Sequence, residues 1–336
     1  MKAIFWPFKY KDMMETWRKQ MIWLANALSY YHVEVKKHPQ FICRGLEIPI
    51  YDSKTDNPAD ICIYNHTDLS NIRGNVLQTK VNWFFKPTVP DEIHTTLDEL
   101  GYGPYSSITY QKPNFENTDM NLVNTFFNTQ VKSWIETKIT KWKTAFENNI
   151  LEINERDYIL VLGQCYGDEV VTRHDFGDYC NKLEAIVREC IYVSTKKIIV
   201  KLHPYMDGRF ATTTTISDNM KKRLEQIDKR VSIFTGKINV HNFIKNSDVV
   251  ILGNSGAGWE AMMHHKPIIS WGHPEYRWVS YDLLHLSDLH RALKLDWFNV
   301  ENQDRYLYWY ENLYCFFDQG SAIRRVGELL KNLENK

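Results

Sequence analysis

"VVILGNSGAGWEAMMHHKPIISWGHPEYRW" occupies Val249 to Trp278. Four aliphatics, Val249 to Leu252, run straight into Gly253, Asn254, Ser255, Gly256, Gly258 and Glu260, and a second apolar run opens at Pro267. Aliphatics with no polar alternation mark a strand buried on both faces, as in a parallel sheet under helices. Ala257 to His264 carries helical spacing between the two runs, so the stretch reads strand, helix, strand. The pattern recurs upstream. Strands are expected at Tyr158 to Leu162, Lys197 to Leu202, Val231 to Phe234, Asp248 to Leu252 and Pro267 to Trp271. Helices are expected near Asp178 to Val193, Asp218 to Asp228 and His241 to Lys245. Such alternation predicts an α/β, doubly wound domain whose ligands sit beyond the carboxyl ends of its strands.

The first half reads as a looser α/β unit. It has strands at the N-terminus ("KAIFWPF"), Val33 to Val35, Ile61 to Tyr64 and Val81 to Phe85, and a helix of three- and four-residue apolar spacing from Met13 to Leu28 that Asp12 would cap. Apolar residues from Asn121 to about Asn149 mark a long amphipathic helix or a broken pair. With 336 residues, one core is exceeded and two domains follow, expected as 1–152 and 153–336. After Tyr281 the chain reads as helical to its end, and the last helix is expected to pack back across the first domain.

Forty-one basic and 41 acidic residues cancel, so no global field draws the molecule to nucleic acid, and an anion must be held by a local site. Six cysteines form no CxxC pair and no zinc spacing with histidine, so they read as reduced thiols of a cytoplasmic protein. No apolar stretch approaches the about 20 residues that span a bilayer. Membrane contact through an exposed aromatic or basic patch is compatible with the chain, but no segment demonstrates it. The sequon Asn65-His66-Thr67 stands without a secretory signal and reads as chance. Aromatics reach 14%, which serves packing or stacking on sugar faces equally well.

Four loops follow strands of the second half: "GQCYGDE" (Gly163 to Glu169), "HPYMDG" (His203 to Gly208), "GNSGAGWE" (Gly253 to Glu260) and "GHPEYRW" (Gly272 to Trp278). Their polar residues exceed what a core needs, so they are expected to converge. In the third, Gly253, Gly256 and Gly258 admit a ligand close to the backbone, the following helix offers unpaired N–H groups to an anion, and Ser255 adds a hydroxyl. Glu260 would bond ribose hydroxyls; alternatively the glycines only turn the chain and Glu260 caps the helix. It is neither a Walker loop nor a GxGxxG fingerprint. Pro204 holds His203 rigidly at a strand end, and with Lys201 that imidazole would stabilise a departing nucleotide; a satisfied turn histidine is the plainer reading. Asp168 and Glu169 are the carboxylates placed to act at a reacting carbon, as base or nucleophile, or else as turn and cap residues. No DxD motif occurs, and the histidines lack carboxylates at ligand spacing, so no metal and no other cofactor is expected.

Together "LGQCYGDE", "KLHP", "NSGAGWEAM" and "GHPEYRW" resemble the bacterial capsule polysaccharide biosynthesis family of Kps-type 3-deoxy-manno-octulosonate (Kdo) transferases. Its loops run "GQ…D", "K-x-H-P", "S-x-x-G-x-E-A-L" and "G-x-P-F-Y-x-x-W". "TTLDELGYGPYSSI" (Thr95 to Ile108) resembles that family's "LE…G-x-x-x-x-SSL" loop more loosely. The resemblance implies a GT-B fold, two Rossmann-like domains facing across a cleft. It implies a metal-independent glycosyltransferase moving a sugar from a nucleotide-sugar donor, CMP-Kdo, to a glycan or glycolipid acceptor. Asp168 would be the catalytic carboxylate of a retaining double displacement, with Glu169 as the alternative and His203 beside it. Gln164, Lys201, His203, Pro204, Gly253, Asn254, Ser255, Gly256 and Glu260 would hold the nucleotide. A transferase of UDP- or GDP-sugars, a nucleotide-sugar epimerase and a non-catalytic nucleotide- or glycan-binding subunit are the alternatives.

Overall fold

The structure, a computed structural model, describes residues 1–6, 14–39, 47, 49–52, 60–65, 75–85, 93–140, 153–172, 178–207 and 214–334. Its strands are β1 (Lys2–Phe5), β2 (Glu34–Lys37), β3 (Ile61–Asn65), β4 (Asn75–Phe85), β5 (Ile93–Asp98), β6 (Tyr158–Leu162), β7 (Ile198–Lys201), β8 (Val231–Phe234), β9 (Ser247–Leu252), β10 (Ile268–Ser270), β11 (Tyr281–Asp282) and β12 (Cys315–Phe316). They form two six-stranded sheets in two compact units, Met1–Gln111 with Tyr308–Lys336, and Lys112–Leu307.

That division differs from a single break at 152/153, and side-chain packing gives the reason. The helix Gln319–Glu334 sets Ala322, Val326, Leu329 and Leu330 against Met21, Leu24, Ala25 and Leu28 of the helix Met14–Tyr30. Gly327 makes the approach possible, since a Cβ there would lie 2.3 Å from the Tyr31 hydroxyl oxygen. The tail therefore belongs to the first unit. The segment after Gln111 belongs to the second, where Phe127 stacks on His265 at 5.2 Å and Asn239 Nδ2 donates to the Lys138 carbonyl at 2.9 Å. Its helix is broken in register: Met120–Phe126, a π-helical turn Phe127–Val131, then Lys132–Glu136, ending where Lys138 takes φ +50°. The expected continuation to Asn149, like Asp12 as a cap, lies outside the described residues.

The sheet of the first unit runs β12-β5-β4-β3-β1-β2. β4, β3, β1 and β2 are parallel, as in a Rossmann-like half, while β5 and β12 add antiparallel strands at one edge. Neither edge strand is legible as such, and β12 interrupts the tail expected to be all helical. "IHTTLD" is polar by composition, yet His94 to Asp98 are buried, each of the two ionisable groups held by a partner. His94 Nδ1 meets Glu311 at 2.6 Å, and Asp98 accepts from the backbone N–H groups of Leu100, Gly101 and Ser107 and from the hydroxyls of Ser107 and Tyr314. Polar side chains are tolerated in a core only when so satisfied.

The second sheet is parallel throughout, in the order β11-β10-β9-β6-β7-β8. β6, "YILVL", is buried at every position, which explains its unbroken aliphatic pattern. The helix Tyr179–Val193 begins at Asp178, whose carboxylate accepts from Cys180 N at 3.0 Å and Asn181 N at 3.3 Å, and it buries Leu183, Ile186, Val187 and Cys190 on one stripe. Burial of each of the three aliphatics is worth about 1.5–3 kcal/mol. Starting from β6, the chain winds outward through β7 and β8, then returns to β9 on the other side of β6. The reversal lies between β6 and β9, where an open sheet leaves a crevice at the strand ends.

Candidate functional site

Because β10, β9, β6 and β7 are adjacent and parallel, the four loops identified in the sequence leave one rim of the sheet side by side. Hydrogen bonds then join each loop to the next. Across the β6/β9 reversal, Gln164 and Asn254 exchange two bonds: Gln164 Nε2 donates to Asn254 Oδ1 at 2.7 Å, and Asn254 N donates to Gln164 Oε1 at 2.9 Å. Both residues are buried, and Gly253 is glycine for this reason, since a Cβ would fall 2.3 Å from Gln164 Oε1. Tyr179, from the helix behind, accepts from Gln164 N at 2.7 Å; burial raises its pKa, so it stays a phenol. Asn254 Nδ2 reaches the Val170 carbonyl at 2.9 Å, which brings the short helix Glu169–Thr172 to the same clamp.

The β6 and β7 loops are stapled by Tyr166 N to the Met206 carbonyl at 3.1 Å and Cys165 Sγ to the Tyr205 carbonyl at 2.8 Å. The β9 and β10 loops are joined by Tyr276, whose hydroxyl donates to the Ser255 carbonyl. Gly258 leaves room for that ring: a Cβ there would sit 2.2 Å from Tyr276 Cζ.

Of the carboxylates, Asp168 is exposed on the rim; its Oδ1 accepts from Val170 N at 3.1 Å and its carbonyl accepts from Val171 N and Thr172 N, so it also starts the short helix. Glu169 opens that helix, and its side chain lies outside the described residues. Asp207, the acid of the "HPYMDG" loop, is committed to the helix Thr215–Glu225, accepting from Ser217 Oγ at 2.6 Å and Ile216 N at 2.5 Å. His203 and Pro204 are partly exposed at the end of β7. His203 Nδ1 accepts from Tyr205 N at 3.1 Å, so the neutral ring carries its proton on Nε2, the donor an anion requires.

Lys201 is placed differently from a residue that points at the rim. It is buried, its ammonium donates to the carbonyls of Leu202 at 2.7 Å and Gly236 at 2.8 Å, and burial lowers its pKa to about 8. It ties the β8 loop to β7. Around Ser255, the N–H groups expected to be unpaired are largely engaged: Ala257 N donates to Ser255 Oγ at 3.2 Å, Gly258 N to the Ser255 carbonyl at 3.1 Å and Trp259 N to the Gly256 carbonyl at 2.9 Å. A tight first turn consumes them locally. Ser255 and Gly256 remain partly exposed, and Glu260 is buried within the helix Ala257–Met263.

The sequence reading missed Tyr276, Tyr179 and the reciprocity of Gln164 with Asn254. Tyr276 lies in "GHPEYRW", but only the fold brings its ring into the space that Gly258 leaves. Among the described residues no group of three histidine, cysteine or acidic side chains is arranged to hold a metal ion, and no helix is long and apolar enough to cross a membrane.

The fold is similar to that of Thermosulfurimonas dismutans KpsC, β-Kdo 2,4 transferase, with a TM-score of 0.57 at 14% identity over 93% of this chain and 91% of that one. It is also similar to the β-Kdo 2,7 transferase of the same organism's KpsC, with a TM-score of 0.50 at 14% identity over 98% and 100% of the two chains. These likenesses establish a GT-B fold. No curated protein sequence matches significantly. The profile of the family described as "Capsule polysaccharide biosynthesis protein" matches residues 111–309, which takes in the whole of the second unit and all four linked loops. The protein therefore belongs to the capsule polysaccharide biosynthesis protein family.

Proposed function

We propose that the protein is a glycosyltransferase of capsule synthesis that transfers a sugar from a nucleotide-sugar donor, CMP-Kdo, to a glycan or glycolipid acceptor without a metal ion. The observation that carries this reading is the junction of four loops at the β6/β9 reversal, held by the Gln164–Asn254 exchange, with Asp168, His203 and Ser255 on one rim. A parallel sheet binds nucleotides at such a point. CMP-sugars release a nucleoside monophosphate, a single phosphate group, which His203 Nε2 and the Ser255 hydroxyl would meet as donors. Asp168, the exposed carboxylate of the β6 loop, would attack the anomeric carbon and displace CMP, the acceptor hydroxyl then displacing the carboxylate, or would instead deprotonate the acceptor hydroxyl as it attacks that carbon. The named KpsC enzymes transfer Kdo, which supports the donor assignment.

A thermal-shift panel of CMP, UDP, GDP and TDP tests the donor class. At 100 times its dissociation constant, the right nucleotide adds about 2.7 kcal/mol of stability. CMP is expected to be the one that shifts the transition. A shift by UDP or GDP instead moves the assignment to the alternative transferase or the epimerase, which product analysis separates, because an epimerase turns over with no acceptor. Binding with no turnover on any acceptor supports a non-catalytic subunit.

A further inference from the structure

At the outer end of the same sheet, starting from Trp278 at the end of the β10 loop, the second unit has a pocket of about 230 Å³ lined by Trp278, Tyr281, Asp282, Trp297, Asn299 and Asn302 among others. Its volume is below the ~300–1,000 Å³ of sites for drug-sized molecules, so it suits a single ring. Among the described residues no lysine or arginine lines it. Two indoles and a phenol supply apolar, π-rich surface, while two carboxamides and a carboxylate supply hydrogen-bonding groups. A pyranose has the matching pair of features, C–H faces that stack on aromatic rings and hydroxyls around its edge.

The lining is preorganised. Trp297 is oriented by its Nε1 donating to the Ala292 carbonyl at 2.8 Å, and its ring centroid lies 5.6 Å from that of Tyr281. Asp282 is held through Oδ2 by Arg277 and by His273 Nδ1 at 3.1 Å, and Arg277 in turn lies 5.6 Å from the Trp278 ring centroid. Asp282 Oδ1 is enclosed and has no hydrogen-bond partner among the described residues. Asn299 Oδ1 accepts from Asn302 N at 2.9 Å, which fixes that side chain at the start of the helix Val300–Trp309 with its amide N–H₂ left as the donor.

We propose that this pocket is a saccharide subsite for a neutral pyranose residue of a glycan, separate from the nucleotide rim. Among the described residues no lysine or arginine lines the pocket, and the neighbouring Arg277 is already paired with the Asp282 carboxylate, which disfavours phosphate and acidic sugars. The site does not depend on the identity of the donor.

The full-length protein, alone and with CMP, is titrated with glucose, galactose, N-acetylglucosamine and glucuronate, following tryptophan fluorescence and saturation-transfer NMR. At least one neutral sugar is expected to bind saturably, with the same affinity in the presence of CMP, and about tenfold more tightly than glucuronate. Trp278→Ala and Asn302→Ala are each expected to weaken it about tenfold. Asn302→Ala, a change in a helix's first turn, keeps the test valid if the tryptophan variant folds poorly. Absence of saturable binding by any neutral sugar, equal binding of glucuronate, displacement by CMP, or unchanged affinity in Asn302→Ala each overturns the subsite. Failure of CMP to bind bears on the donor reading alone.

Discussion

Gly253 and Asp168 separate the two kinds of residue in the rim, those that hold its loops together and those left exposed on it. At Gly253 an added methyl group would collide with Gln164 Oε1 at 2.3 Å, so Gly253→Ala must displace the amide that joins the β6 and β9 loops. Overpacking of this kind costs about 1–3 kcal/mol, and urea denaturation is expected to show a loss of that size together with weakened nucleotide binding. Asp168 has the opposite profile. It is exposed, and its structural work is to begin a four-residue helix, which asparagine does nearly as well. Asp168→Asn is therefore expected to leave the melting temperature and CMP binding unchanged while lowering turnover roughly 10³-fold or more. Retained turnover would remove Asp168 from the chemistry and leave Glu169 as the candidate.

Short elements that lead into β9 and β10 are expected to carry a pH dependence. His241, in the helix His241–Ile244, and His264, at the end of the helix Ala257–Met263, meet Nδ1 to Nε2 at 2.8 Å, and His241 Nε2 lies 2.8 Å from the Ile139 carbonyl. Burial lowers their pKa values to about 4 and about 3, with each other and the nearby lysines adding to the effect on His264. Both folded values lie below the ordinary histidine value of 6.5, so below about pH 6.5 the unfolded chain takes up protons that the folded chain refuses. Stability contributed by the pair is complete above that pH and falls as pH drops toward 4, by roughly 1.4 kcal/mol per unit for each imidazole. His265 opposes this, because hydrogen bonding to Asp304 raises its pKa and favours the folded state on acidification. It is half exposed, and the buried pair is expected to dominate. Melting temperatures between pH 8 and pH 5 check the sign, and His264→Gln should flatten the profile.

At the scale of the whole molecule, the C-terminal helix closes the first unit although it lies some three hundred residues from the N-terminus. Removing Gln319 to Lys336 strips Val326, Leu329 and Leu330 from the core that Met21, Leu24 and Leu28 share. At about 1.5–3 kcal/mol for each large side chain, the loss approaches the whole stability of a domain, about 5–15 kcal/mol. Hydrogen exchange on the truncated chain is expected to show β1 to β5 unprotected while β6, β7 and β9 keep their protection. Loss of protection in both units together would show that the tail also supports the second.

The parallel sheet of the second unit was legible almost strand by strand, because a strand buried on both faces has no choice but an unbroken aliphatic pattern, as in "YILVL" and "VVIL". The four loops that matter could be named for the same reason: each follows such a strand and carries polar residues that no core requires. Other features had no local signature. β5 hides its burial under "HTTLD", whose His94 and Asp98 are satisfied by Glu311 and Tyr314, partners more than 200 residues away in the chain. Lys201 looks like a free cation in "KLHP", and its commitment to the Leu202 and Gly236 carbonyls follows from a side-chain direction that the code for that segment leaves open. Periodicity records which face of an element is buried. Which distant group satisfies a buried polar atom, and which unit a terminal helix completes, depend on packing between elements, and only the folded chain brings those partners together.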